Sequence, residues 1–142
     1  MRLKYLKLLL PIFALFLLSC IDEPAAPQTE KEIITEISRD WNCEVDEEGF
    51  PLNFDATITS DPSDDARIFV YNFHAMGNAE KVSAIVNIDL SIVIPEQTVL
   101  NQTIAGNGDI SNDLTRITWD YTIENADGTF HITGTYTYGS PT

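Results

Sequence analysis

"ITWDYTIENADGTFHITGTYTY", residues 117–138, decides the fold. Ile117, Trp119, Tyr121 and Ile123 alternate with Thr118, Asp120, Thr122 and Glu124. Beyond Asp127-Gly128 the alternation resumes, with Phe130, Ile132, Gly134, Tyr136 and Tyr138 against His131, Thr133, Thr135 and Thr137. Successive side chains of a strand point to opposite faces, so a period of two describes a strand buried on one side. Asp-Gly between two such runs supplies the left-handed positions that a tight hairpin turn needs. The segment predicts an antiparallel hairpin.

The same pattern recurs upstream. Leu52, Phe54, Ala56 and Ile58 alternate with polar residues, and Val82, Ala84, Val86, Ile88 and Leu90 share a face opposite Lys81, Ser83, Asn87 and Asp89. "ARIFVYNF" (66–73) is apolar on both faces at its centre, which predicts a strand covered twice. "SDPSDD" (60–65), "AMGNAE" (75–80), "AGNGD" (105–109) and "NADGT" (125–129) read as turns. Pro95 is expected to end a strand or mark an edge. The fold class is therefore all-β, an antiparallel meander forming a small barrel or sandwich.

One segment departs from this period. "TEKEIITEISRDW" (29–41) places Thr29 and Glu32 at capping-box spacing, and Ile33, Ile34, Ile37 and Trp41 on one helical face. A short helix over 30–38 is expected, leading into a first strand near 41–45 and closing one end of the barrel. The competing reading is an N-terminal strand, since the isoleucines favour β structure.

The chain begins with Arg2, Lys4 and Lys7 and an apolar stretch from Leu8 to Leu18, the form of a secretory signal peptide. Eleven residues fall short of the roughly 20 that span a bilayer. Leu17-Leu18-Ser19-Cys20 resembles the lipobox of bacterial lipoproteins. That resemblance implies cleavage after residue 19 and acylation of Cys20 by chains such as palmitate, anchoring the protein in the outer membrane. Two or three acyl chains hold durably where one holds weakly. Residues 20–29, with Pro24 and Pro27, read as the lipidated cysteine and an extended tether, and residues 30–142 as a single β-domain. Ile21, Asp22 and Glu23 resemble the acidic export signal of Bacteroidota-type surface lipoproteins, leaving the periplasmic and the cell-surface face both open.

The whole chain carries a formal net charge of −14. Removing residues 1–19 takes three of the eight basic residues and no acid, leaving 123 residues at −17. Such a surface is repelled by nucleic-acid phosphates and by anionic lipid. With Cys20 acylated, Cys43 has no disulfide partner. No histidine or basic residue lies near it in sequence, so it reads as a small buried apolar side chain.

Catalytic and metal-binding motifs are lacking. His74 and His131 fall in no metal-ligand spacing, and no P-loop, dinucleotide fingerprint or G-x-S-x-G occurs. Asp61, Asp64 and Asp65, and Asn107, Asp109, Asn112 and Asp113, form oxygen-rich stretches that fit no EF-hand template. No cofactor is implied, and the sequence reads as non-enzymatic.

A short helix, a tryptophan at the first strand and a β-meander resemble a lipocalin-type (calycin) barrel, although Arg39 stands where the lipocalin signature has glycine. More closely, "IFVYNF", "VSAIVNIDLSIVIPEQTV", "IAGNG" and "ITWDYTIENADGTFHITGTYT" resemble small Bacteroidota-type lipoproteins with lipocalin-like domains. The resemblance brings no catalytic residue. If the barrel keeps a cavity, Phe54, Trp119, Tyr121, Phe130 and Tyr136 would line it and take a small apolar ligand. If it does not, the same rings fill the core. An accessory subunit binding another envelope protein is the alternative function, and a hydrolase a more distant one.

Overall fold

The structure is a computed structural model, and it describes residues 29–139. The leader, Cys20 and most of the tether lie outside the described residues. Eight strands follow one short helix: α1 (Glu30–Ile37), β1 (Asp40–Glu47), β2 (Phe50–Asp61), β3 (Asp64–Tyr71), β4 (Lys81–Val86), β5 (Ser91–Val99), β6 (Gln102–Ile110), β7 (Arg116–Asn125) and β8 (Gly128–Thr137). Each strand pairs antiparallel with the next, and β1 closes on β8 through pairs such as Cys43 with Tyr136 and Val45 with Gly134. The result is a closed barrel, which leaves no strand edge to pair with another chain.

The expected helix forms. Thr29 Oγ1 accepts from the Glu32 amide while the Glu32 carboxylate accepts from the Thr29 amide. Ile33, Ile34 and Ile37 are buried against β2, β3 and β4, at the end of the barrel where the β2–β3, β4–β5 and β6–β7 turns gather. Trp41 fastens the helix to the barrel by donating its indole N–H to the Ile37 carbonyl at 3.0 Å. Arg39 lies over the Trp41 ring at 5.1 Å and over Tyr138 at 3.6 Å, and donates to the Leu114 carbonyl in the β6–β7 turn. The end is thus sealed by an isoleucine face, an indole and a stacked guanidinium. Thr29→Ala removes the side-chain half of the capping box and is expected to cost about 1 kcal/mol. A urea titration should show a lower midpoint at unchanged slope.

Four sequence expectations are corrected. β4 ends at Val86, and Ile88 is 56% exposed. There Asp89 Oδ1 accepts from the Ser91 amide and hydroxyl, and Leu90 turns left-handed at φ +70°, so turn chemistry overrides the apolar alternation. β3 ends at Tyr71 because Asn72 is left-handed at φ +56°, and Phe69 is only half-buried, with the Lys81 ammonium 3.8 Å above its ring. "AGNGD" is the middle of β6, not a turn. Gly106 and Gly108 oppose Tyr121 and Trp119 so closely that a Cβ on Gly106 would stand 2.4 Å from the Asp120 carbonyl oxygen. β5 runs through Pro95 at a register shift between Ile94 and Gln97. Beside it, Gln97 bridges to β4 by accepting from the Ser83 amide (2.8 Å) and donating to the Ser83 carbonyl (2.7 Å). A side-chain amide there stands in for ladder bonds.

Candidate functional site

The opposite end of the barrel, its mouth, is ringed by the β1–β2, β3–β4, β5–β6 and β7–β8 turns. Three of these are tight. The β3–β4 connection, residues 72–80, is longer and folds inward. Its short 3-10 turn, Phe73–Ala75, buries Phe73 to 1% exposure although this residue belongs to no strand. The Phe73 ring meets Tyr121 at 4.7 Å, Trp119 edge-on at 5.8 Å and Tyr136 at 6.5 Å. Trp119 and Tyr136 pack at 5.6 Å, and Phe54 stands edge-on to Tyr136 at 6.0 Å. Of the five residues expected to line a cavity, Trp119, Tyr121 and Tyr136 are fully buried together in this cluster. Phe54 and Phe130 are half-buried nearer the mouth, Phe130 opposite Ile123 on β7.

Among the described residues, two donors buried in the cluster close no well-formed hydrogen bond: the Trp119 indole N–H and the Tyr136 hydroxyl. The Cε3–Cζ3 edge of Trp119 lies over Gly108, so its N–H edge is the one turned away from β6. The Tyr136 hydroxyl sits between the Cys43 thiol and the His74 backbone and closes a well-formed hydrogen bond with neither. Leaving such a group unpaired costs roughly 1–3 kcal/mol. By contrast Trp41, the other indole, is satisfied.

Sequence reasoning missed the chain of polar contacts that ties the connection to the barrel. His74 Nδ1 lies 2.8 Å from the Tyr121 hydroxyl and Nε2 lies 3.1 Å from Glu47 Oε2. Burial lowers the His74 pKa, against the opposing pull of Glu47, so the imidazole is neutral at pH 7. A carboxylate only accepts, which assigns the proton to Nε2 and makes Nδ1 the acceptor of the Tyr121 hydroxyl. Burial and the Glu47 charge push the Tyr121 pKa up, so this arrangement holds the phenol protonated rather than activating it. The only sequence signals were a histidine and an aromatic residue flanked by Asn72 and Gly77, both of which favour left-handed backbone.

Cys43 faces the same interior. Burial pushes its thiol up to about 12. In a chain beginning at Ile21, Cys43 is the one thiol, and iodoacetamide at pH 8 is expected to leave it unmodified until denaturant is added. The unfolded thiol ionises near its ordinary 9.0 while the folded one does not, so this contribution to stability is complete below pH 9 and is lost as pH rises toward 12.

The acidic loops are internally paired. Asp61 accepts from the Ser63 hydroxyl and amide, which lower its pKa, and lies within 3.9 Å of Arg67. Asp64 also meets Arg67 and Asp65 meets Lys31. The Ser111 hydroxyl and Thr115 hold the Asp113 carboxyl at about 2. Asn107 and Asp109 are on β6. Among the described residues no three His, Cys, Asp or Glu side chains converge as a metal site.

A concavity of about 670 Å³ lies on the outside of the barrel across β6, β7, β8 and β1. Its lining follows two cross-strand rows, Asp109–Thr118–Thr135–Glu44 and Asn107–Asp120–Thr133–Asp46. It is open and acid-edged, with Val45, Pro51 and Trp119 adding apolar surface.

No protein-family model and no curated protein matches this sequence. Among solved structures, a redesigned β-barrel is similar at a TM-score of 0.50 and 14% identity, over 76% of this chain and 96% of that one. At that identity the likeness shows the barrel fold alone.

Proposed function

We propose that this chain is a lipid-anchored lipoprotein of the cell envelope, held at the outer membrane by acyl chains on Cys20, whose barrel is a non-enzymatic binding domain. Its ligand site is the aromatic interior. The observation that carries this reading is the pair of buried, acceptor-less donors on Trp119 and Tyr136 within one cluster of rings. A core selected only for packing would place apolar side chains there. The lipobox carries the anchor, and among the described residues no helix is long and apolar enough to cross a membrane.

Native mass spectrometry of the protein from its own host membranes, beside residues 21–142 refolded without ligand, tests both halves. The expected result is acyl mass on Cys20 and a further mass on the domain that the refolded form lacks. A domain without added mass would count against the interior site, and an unmodified Cys20 against the anchor. The outer concavity favours a second reading, a partner-binding accessory subunit. Its acid-edged rows would take a basic surface of another envelope protein, and neutralising Glu44 and Asp46 would then release that protein.

A further inference from the structure

We propose that residues 72–80 form a gate, and that Phe73 occupies the place of a planar, uncharged aromatic ligand bearing a carbonyl-type acceptor. This rests on the interior-site reading above and adds what the ligand is and how it enters.

Of the four buried rings packed together, Phe73, Trp119, Tyr121 and Tyr136, that of Phe73 alone does not come from a strand. Lifting the connection would withdraw that ring and leave a space of its size and flatness between Trp119, Tyr121 and Tyr136. The walls would offer the Trp119 N–H and the Tyr136 hydroxyl, which a phenylalanine ring leaves without an acceptor. The ligand should therefore match Phe73 in shape and add the acceptor it lacks. No cationic side chain belongs to the cluster, and Glu47 stands at the mouth, so a neutral carbonyl suits the site better than a carboxylate.

The connection has the construction of a movable part. His74 and Ala75 are held at φ +51° and +57°, left-handed conformations that such residues seldom adopt without surrounding contacts to impose them, next to Asn72 at φ +56°, which tolerates that region. Those contacts are two side-chain anchors, on Asn72 and on His74. Asn72 donates to the Asp55 carbonyl at 2.7 Å and accepts from the Gly77 amide at 2.8 Å. His74 provides the latch, accepting a hydrogen bond from the Tyr121 hydroxyl on one side and donating one to Glu47 on the other. Opening relaxes the backbone and breaks the latch, while a bound acceptor satisfies the two donors. The ligand thereby favours the open state.

The test uses the mature protein in detergent micelles with empty micelles as blank, and two phenyl probes, acetophenone with the acceptor and ethylbenzene without it. His74→Asn removes the two-sided latch with a residue that tolerates left-handed backbone. The expected result is acetophenone binding at least tenfold tighter to His74→Asn than to wild type, and at least fivefold tighter than ethylbenzene. Amide exchange across 72–80 should speed up when the probe binds. Equal affinity in wild type and His74→Asn, or slower exchange across 72–80 with probe bound, would overturn the gate. Phe73→Ala, checked by circular dichroism to be folded, removes the stand-in outright. If it binds neither probe, or both equally, the ligand class is wrong. A membrane-derived ligand mass on a protein whose 72–80 segment never opens would remove the gate while leaving the interior-site reading intact.

Discussion

Gly106→Ala is expected to destabilise the barrel by about 3 kcal/mol, the upper end of the overpacking range. One added methyl group would stand 2.4 Å from the Asp120 carbonyl oxygen and 2.5 Å from the Tyr121 Cα. Both are backbone atoms of the neighbouring strand, so relief requires β6 and β7 to separate where they pair, at Gly106 with Tyr121. Gly108→Ala provides the contrast. Its methyl group would meet the edge of the Trp119 ring at 2.7 Å, a side chain that can tilt, and the loss should be smaller. Paired chemical denaturations of the two variants check this. A Gly108→Ala variant as unstable as Gly106→Ala would contradict it.

Trp41→Ala is expected to cost about 3–5 kcal/mol, the range for removing a buried tryptophan. Trp41 is 1% exposed, accepts the Arg39 guanidinium on its face and holds the Ile37 carbonyl. Its loss unseats α1 together with the end of the barrel it covers. Trp41→Phe keeps most of the packing and forfeits the hydrogen bond, a smaller loss of about 1–2 kcal/mol. Thermal melts followed in the far and near ultraviolet should rank wild type, Trp41→Phe and Trp41→Ala in that order. Equal melts for the two variants would show that the hydrogen bond, not burial, dominates.

The barrel was legible where one residue type served one purpose. The alternation of β7 and β8 and the capping box of α1 are local signals that tertiary structure did not override. The hairpin turn forms one residue earlier than Asp127-Gly128, on Ala126-Asp127, with Gly128 already paired to Asn125 at φ +140°. "AGNGD" misled because glycine marks either a turn or a close approach of strands, and only the partners Tyr121 and Trp119 decide between them. The interior site was half legible. Period two placed Trp119, Tyr121 and Tyr136 on one face, and the structure brings them together. Phe73 and His74 were hidden because their role depends on a non-local fold-back. Nothing within their own segment records that Glu47, 27 residues upstream of His74, and Tyr121, 47 residues downstream, lie at their side.

The indole proton resonances of the ¹⁵N-labelled mature protein give the most direct test of the interior site. The chain has two tryptophans, one satisfied by Ile37 at the sealed end and one without an acceptor in the ring cluster. Adding back the compound extracted from the membrane-derived protein should shift the Trp119 N–H downfield, as a new hydrogen bond forms, and leave the Trp41 N–H in place. A Trp119 resonance that stays put while the compound binds would contradict the account and send the search to the acid-edged outer face.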